Sequence, residues 1–312
     1  MGDGMNRQAF EKTDDLQQGI GIADFRKTND AQVMYLQDDT KEGGIPLLKF
    51  HLLDSAGIAE HGFTTRMGGA SQGIFSSLNL SYARGDDRAA VDENFRRVAV
   101  SMHAQCTDFV LSDQTHTVHV RTVTQKDRGK GIVMERDYRD IDGLVTNQPG
   151  IVLSAFFADC VPLFFADPVK RAVGVSHSGW RGTIGRMGCE TVRVMQEAFG
   201  SRPQDIICAI GPSICQSCYE VSEDVAGQFA EEFPGAGEAF CYPSAPGKYQ
   251  LNLWKANELV LLDAGILKEH LAVTNICTCC NPKLLFSHRA SRGQRGNLAA
   301  FIRLKEENSP GV

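Results

Sequence analysis

Between Gly150 and His177 the chain reads GIVLSAFFADCVPLFFADPVKRAVGVSH, three short runs of Val, Ile, Leu, Phe and Ala separated by turn residues. Runs of this length and composition are strands. Their near-continuous apolar character means that both faces of the sheet they build must be covered. Helical spacing elsewhere supplies the cover. Residues 87–103, DRAAVDENFRRVAVSMH, place Asp and Glu early, where the helix macrodipole favours them. A second helix is predicted over 183–200, capped by Thr183 and stopped by Gly200, and Ser222 and Asn252 open two more. HVRTV, around Val120, adds a further strand.

With 312 residues, 42% hydrophobic and 22% charged, the chain can bury a proper core. Apolar periodicity runs from Leu47 to Leu304 without a Pro/Ser-rich linker or a repeat. One domain over residues 46–312 is therefore expected, preceded by a flexible extension over 1–45 with some local structure around AQVMYLQ. A formal charge of −6 and the lack of a Lys/Arg run give no footprint for nucleic acid. No apolar run reaches the roughly 18 residues of a bilayer span, and the N-terminus lacks the basic-then-apolar order of a signal peptide. The expectation is a cytoplasmic protein with no membrane partner. Its ten cysteines are then reduced, buried or ligating rather than paired.

Cys160 and His177 stand at the ends of two of the predicted strands, each followed by a turn, where an α/β scaffold exposes side chains for chemistry. Cys160 has three readings: a thiolate ligand, a nucleophile paired with His177, or a core residue. In SDQTHTVHV, strand alternation puts His116, Val118 and Val120 on one face and Thr117 and His119 on the other, so one histidine points at a site and the other away. Two His and one Cys would leave a fourth position open, the pattern of a catalytic zinc site. The same set suits copper only with a weak axial ligand such as Met, and none is placed for it. Cys215-x-x-Cys218 with Cys277-x-Cys279-Cys280 forms a separate group whose second half is irregularly spaced for zinc, so buried thiols are the default there. Arg66 lies in the Gly-rich turn HGFTTRMGGASQG. Arg181 stands beside a helix N-terminus, which favours anions. Arg289 lies with Arg292 and Arg295 in FSHRASRGQRGN. Each is either an anion contact or a solvated loop residue.

Taken in order, HGFTTRMGG, SLNLS, GDD, DQTH, DIDGLVTNQPG, ADCVPLFFADP, VGVSHSGWRGT, IGPSICQSCYEV, LNLWKANELVLLDAG, CTCCNPKLLFSHRA and GNLAAFI resemble the motifs of the YfiH-type proteins. These are also called the laccase-domain or multicopper polyphenol oxidase family and are classed as purine nucleoside phosphorylases. The resemblance spans Leu47 to Leu304. It implies an α+β fold, a four-layer α/β/β/α sandwich of mixed sheets, and a metal site of His116, Cys160 and His177, with Cys160 and His177 catalytic. It also implies phosphorolysis of adenosine, inosine and S-methyl-5′-thioadenosine, adenosine deamination, and Arg66, Arg181 and Arg289 as contacts for phosphate or substrate. The sequence departs from the family pattern at Ser178, where Ala is usual, at Thr117-Val118-His119 after the Gln-x-His motif, and in the loosened arginine run after His288.

The first expectation is thus a zinc enzyme taking a purine nucleoside and phosphate. The alternatives are a copper-dependent polyphenol oxidase, a Cys-His amidohydrolase acting on a cell-wall precursor, and a non-catalytic interaction protein. Oligomeric state has no signal in the sequence.

Overall fold

The computed structural model describes residues 20–235 and 237–306. Two six-stranded sheets form. The first runs, edge to edge, through β1 (Met34–Asp38), β2 (Pro46–Phe50), β3 (Ala59–Thr64), β15 (Leu298–Leu304), β7 (Val152–Phe157) and β4 (Phe109–Leu111). The second runs through β14 (Leu271–Val273), β10 (Ile207–Ile210), β8 (Val161–Asp167), β9 (Ala172–Ser178), β6 (Gly143–Thr146) and β5 (Val120–Thr122). Both are mixed: β4–β7, β5–β6 and β10–β14 are parallel pairs, the rest antiparallel. A small three-stranded sheet, β11 (Glu220–Ser222), β13 (Lys248–Leu251) and β12 (Cys241–Ala245), stands apart.

The two-residue period of a strand decides what each face touches. In β8, Phe164 and Ala166 face the first sheet, while Val161, Leu163 and Phe165 face outward. In β15, Leu298, Ala300, Ile302 and Leu304 face the second sheet, and Ala299 and Phe301 face outward. The inward sets meet in a central core with Phe50, Phe63, Leu153, Phe157 and Val175. Outside the first sheet lies α2 (Arg88–Ser101), through Val91, Phe95 and Val98. Outside the second lie α4 (Met187–Phe199), α5 (Glu223–Glu232) and α7 (Leu253–Asp263), through Val192, Phe229 and Val260. The order is helix, sheet, sheet, helix, as expected. Shorter helices are α1 (His51–Ser55), α3 (Trp180–Ile184), α6 (Gly237–Phe240) and α8 (His288–Ser291).

Most expected elements form where the pattern put them. Asp87 caps α2 by accepting from the Ala89 N–H at 3.1 Å, and Asn252 caps α7 by accepting from Lys255 N–H at 3.0 Å. Gly200 ends α4 at φ +69°, the left-handed geometry that glycine adopts without steric cost. Thr183, however, is not a helix cap. It sits inside α3, its hydroxyl donating to Gly179 O at 2.9 Å, and the chain breaks at Gly185 and Arg186 before α4 begins.

Residues 20–45 correct the expected flexible extension, while residues 1–19 lie outside the described part. β1 pairs along its whole length with β2, and Phe25 and Met34 are buried in the central core. Asn275 and Asn281 hold the preceding segment: Asn275 donates to the carbonyls of Asn29 and Ala31, and Asn281 both accepts from Arg26 N–H and donates to Arg26 O. Side-chain amides thus supply the partners that a strand would, and such long-range pairing leaves no local signature.

Phe164 is fully buried between the sheets, so Phe164→Ala is expected to cost about 3–5 kcal/mol of stability in chemical denaturation. A loss below about 1 kcal/mol would mean that the sheets do not meet through this residue.

Candidate metal centre and active site

The site forms where β8 and β9 end beside the loop that precedes β5. Cys160 immediately precedes β8 and His177 lies in β9, whose Cα register sets Pro162 opposite His177. His116 arrives from the loop. The donor atoms of His116, Cys160 and His177 all lie within 4.8 Å of one another, and the two imidazole rings stand edge to face with centroids 5.0 Å apart. His177 is buried, Cys160 half-buried and His116 exposed. One side of the group therefore opens outward.

Asp142 assembles this geometry. Its carboxylate is fully buried and accepts from the backbone N–H groups of Thr115 (3.0 Å), His116 (3.2 Å) and Thr117 (3.0 Å), and from the Thr117 hydroxyl (3.0 Å). Gathering three successive amides onto one carboxylate curls the chain, and His116 adopts φ +68°. Strand alternation across His116–His119 is therefore not what places these rings. His116 is turned to Cys160, while His119 points away, with Nδ1 3.1 Å from Asp140 O.

The same carboxylate lies 2.8 Å from His177 Nδ1. A carboxylate can only accept, so Nδ1 carries the proton and Nε2 is left for the site. Burial pushes the Asp142 carboxyl up, but the hydrogen bonds from His177 and from the amides of Thr115 and Thr117 reverse this and hold it below the usual range. For His177, burial alone would favour the neutral ring; the Cys160 thiolate and Asp142 outweigh it and raise the imidazolium to about 9. Burial would likewise raise the Cys160 thiol, yet the charge of His177 and hydrogen bonds from both histidines bring it down to about 6. Cys160 and His177 are thus poised as a thiolate against an imidazolium.

Two further residues are specific to this packing. A Cβ on Gly179 would lie 3.0 Å from Cys160 Sγ and 3.4 Å from His116 Cδ2, so any side chain here would have to push the donors aside. Asp159 holds φ +87°, a costly conformation for a non-glycine residue. It is pinned by Thr278 Oγ1 and by the Arg289 N–H, each 2.7 Å from its carboxylate, and by Ile214 N–H on its carbonyl at 3.0 Å. Its neighbour Cys160 is aimed accordingly.

The arginines separate into different roles. Arg66 and Arg295 line one small cavity with Phe286, Ser287 and Gln294. Burial lowers Arg66 to about 10; its Nε and Nη1 donate to Ser76 O and Pro282 O, and its guanidinium lies 4.5 Å from the Phe286 ring centre. Burial and then the charge of Arg84 lower Arg295 to about 10, with Asp159 and Cys160 acting in the opposite direction. Arg295 is therefore within electrostatic reach of the thiolate, and its Nε is buried without a hydrogen-bond partner among the described residues. Arg289 is bent onto the carbonyls of Cys218 and Glu220 (3.4 and 2.8 Å). Arg181 folds over the ring of Trp180 at 4.4 Å. Asp142, Gly179 and Asp159 were not singled out by sequence reasoning, although all three fall in the quoted motifs.

A two-sheet α+β sandwich with a His/Cys donor group at its strand ends defines the class. The chain belongs to the multi-copper polyphenol oxidoreductase laccase family, whose model matches residues 60–305. Purine nucleoside phosphorylase YlmD of Bacillus subtilis is 41% identical over 249 residues, covering 78% of this chain and 88% of the relative. Adenosine deaminase RL5, from an unknown prokaryotic organism, is 33% identical over 72% of this chain and 86% of its own. The crystal structure of the Bacillus licheniformis hypothetical protein YfiH superposes with a TM-score of 0.77 at 34% identity, covering 90% of this chain and 99% of that one. No helix among the described residues is long and apolar enough to cross a membrane.

Asp142→Ala is expected to weaken metal binding by roughly 10- to 100-fold, the range for losing a carboxylate that orients a ligating histidine, read by competition with a chelator. Unchanged affinity would show that Asp142 does not orient the ligands. Gly179→Ala should lower affinity in the same assay while leaving the fold intact by circular dichroism, because the added methyl crowds Cys160 Sγ; full retention would show that the turn can yield.

Proposed function

We propose that this chain is a zinc-dependent purine nucleoside phosphorylase acting on adenosine, inosine and S-methyl-5′-thioadenosine, with adenosine deaminase activity. The observation that carries this reading is the open-sided group of His116, Cys160 and His177, whose Cys160 acts electrostatically on the half-buried Arg295. The names of the relatives give the substrate class.

The donor set fits one zinc ion. Two imidazoles and a thiolate with a position left over are a catalytic zinc pattern, and the Asp142 contact is the usual partner of a ligating histidine. His116, Cys160 and His177 would hold the ion, which when bound supplies Lewis acidity and acidifies water. Asp142 keeps the proton on His177 Nδ1, so that Nε2 is the nitrogen that would give up its proton and present a lone pair. Cys160, lowered toward the thiolate, would bind through its sulfur.

In phosphorolysis a phosphate oxygen bonds to C1′ of the sugar as the C1′–N9 bond breaks. The electron pair leaves with the purine, which takes up a proton, giving free base and a pentose 1-phosphate. Arg66 and Arg295 would offset the charge of the phosphate from their shared cavity. The buried, unpartnered Nε of Arg295 is a donor that an anion would satisfy. Arg289 and Arg181 remain assigned to substrate, Arg289 chiefly by fixing Asp159. In deamination water adds at C6 of adenosine and ammonia leaves, giving inosine.

A phenol oxidase is the weaker reading, because several coppers require more imidazoles than one three-donor group provides. The Cys-His hydrolase has one observation in its favour: His177 bonds Asp142 through Nδ1 and also hydrogen-bonds Cys160, as the base of a nucleophilic triad would. It predicts rapid labelling of Cys160 by thiol reagents in the zinc-loaded protein, whereas a ligating thiolate is protected.

Purified protein incubated with adenosine should release adenine only when phosphate is present, and inosine with or without it, as followed by chromatography. Cys160→Ala should lose adenine release by more than about 100-fold, since even partners of metal ligands cost roughly 10- to 100-fold. No purine product under either condition would overturn the proposal.

A further inference from the structure

Four cysteines outside this site come together from two distant loops. Cys215 opens, and Cys218 closes, the short turn after β10; Cys277 and Cys280 lie in the loop after β14. Their four sulfurs lie within 4.8 Å of one another, with Cys218 Sγ 3.5 Å and Cys215 Sγ 4.0 Å from Cys280 Sγ. Cys277 is fully buried and Cys215 nearly so, with Cys218 and Cys280 half-buried. The geometry selects Cys277 and Cys280 and leaves out Cys279, so the irregular run Cys277-x-Cys279-Cys280 becomes a second C-x-x-C. Two C-x-x-C pairs are the usual donor halves of a structural zinc site, here brought together from distant parts of the chain.

We infer that Cys215, Cys218, Cys277 and Cys280 bind one zinc ion as a closed tetrathiolate site, distinct from His116, Cys160 and His177, which ties together the two loops that hold Asp159. A tetrahedral ion with Zn–S of about 2.3 Å has sulfur–sulfur edges of about 3.8 Å, and the two edges above fall on either side of that value. A disulfide would need about 2.05 Å, and a pairing of two would leave the other two thiols without a purpose in the same cluster. The space between the sulfurs suits a single ion. The Cys215 N–H points at Cys277 Sγ at 3.2 Å, a donor that favours a negatively charged sulfur. The thiols bind as thiolates and release their protons to solvent.

The loops so joined hold the neighbour of Cys160. Thr278, between two of the ligands, donates from its hydroxyl to Asp159, and its N–H bonds Ser213 O at 3.1 Å. Ile214, next to Cys215, donates to Asp159 O. Arg289 grips Cys218 O from its side chain and Asp159 from its N–H. With all four positions filled by sulfur, this ion has no open position for chemistry and acts on Cys160 through the backbone.

The test is metal content of the full-length protein by mass spectrometry, with native thiol titration beside it. Two zinc equivalents per chain are expected, falling to one in Cys280→Ser and Cys218→Ser, and to one in Cys160→Ser, while Cys279→Ser keeps two. Should the cluster variants fail to fold, cobalt-loaded Cys160→Ser supplies the second measurement. It should show the intense sulfur-to-cobalt absorption of a tetrathiolate. The inference is overturned by a wild-type protein whose metal content is unchanged in the folded cluster variants. It is also overturned by cobalt-loaded Cys160→Ser without that absorption, or by a disulfide among the four cysteines in non-reducing peptide mapping. A wild-type protein with a single equivalent that the cluster variants abolish and Cys160→Ser keeps would instead count against the nucleoside site and leave this one standing.

Discussion

The carboxylate of Asp142 has no access to solvent, and its two oxygens take up three backbone amides, a hydroxyl and an imidazole N–H. A buried carboxylate is tolerated only when its lone pairs are so occupied. Meeting that requirement bends residues 115–117 into the curl that turns His116 toward Cys160, and fixes which nitrogen of His177 faces the site. One buried charge thereby sets two of the three candidate ligands. Asp159 acts on the third. Its strained backbone is held by partners from the loops at 213–218 and 277–281 and from the start of α8, so that Cys160 is aimed by residues far away in sequence.

The sandwich makes this arrangement possible. Its central core of Phe50, Phe63, Phe157, Phe164 and their neighbours keeps β7, β8 and β9 in place, and the site sits where those strands emerge. Side chains anchored at strand ends vary little in position, while the loops that complete the group remain free to differ. The exposed His116 lies on that loop side, and Arg66 and Arg295 also reach their cavity from loops.

Much of this was legible in the residues. The apolar runs at 152–157, 161–167 and 172–178 marked the strands, because their period and turn boundaries are local properties. Cys160 and His177 followed from their strand-end positions. The choice between His116 and His119 did not, since alternation presumes an extended chain and the Asp142 carboxylate abolishes it. Arg295 was less prominent than Arg289, and only burial distinguishes them. The register of the second C-x-x-C was hidden by Cys279, which shares the loop but not the cluster. Packing of residues 20–45 rests on Asn275 and Asn281, whose partners lie about 250 positions away. The helix break at Gly185 was masked by continuous helical periodicity on both sides.

In the proposed reaction, phosphate itself becomes part of the sugar product at the His116, Cys160 and His177 site. The measurement that tests it most directly is mass spectrometry of the sugar released from adenosine in the presence of ¹⁸O-labelled phosphate. A pentose 1-phosphate carrying the labelled phosphoryl oxygens is expected, formed by the wild-type chain and not by Cys160→Ala. Free ribose as the sugar product, or a labelled sugar phosphate formed equally by Cys160→Ala, would contradict it.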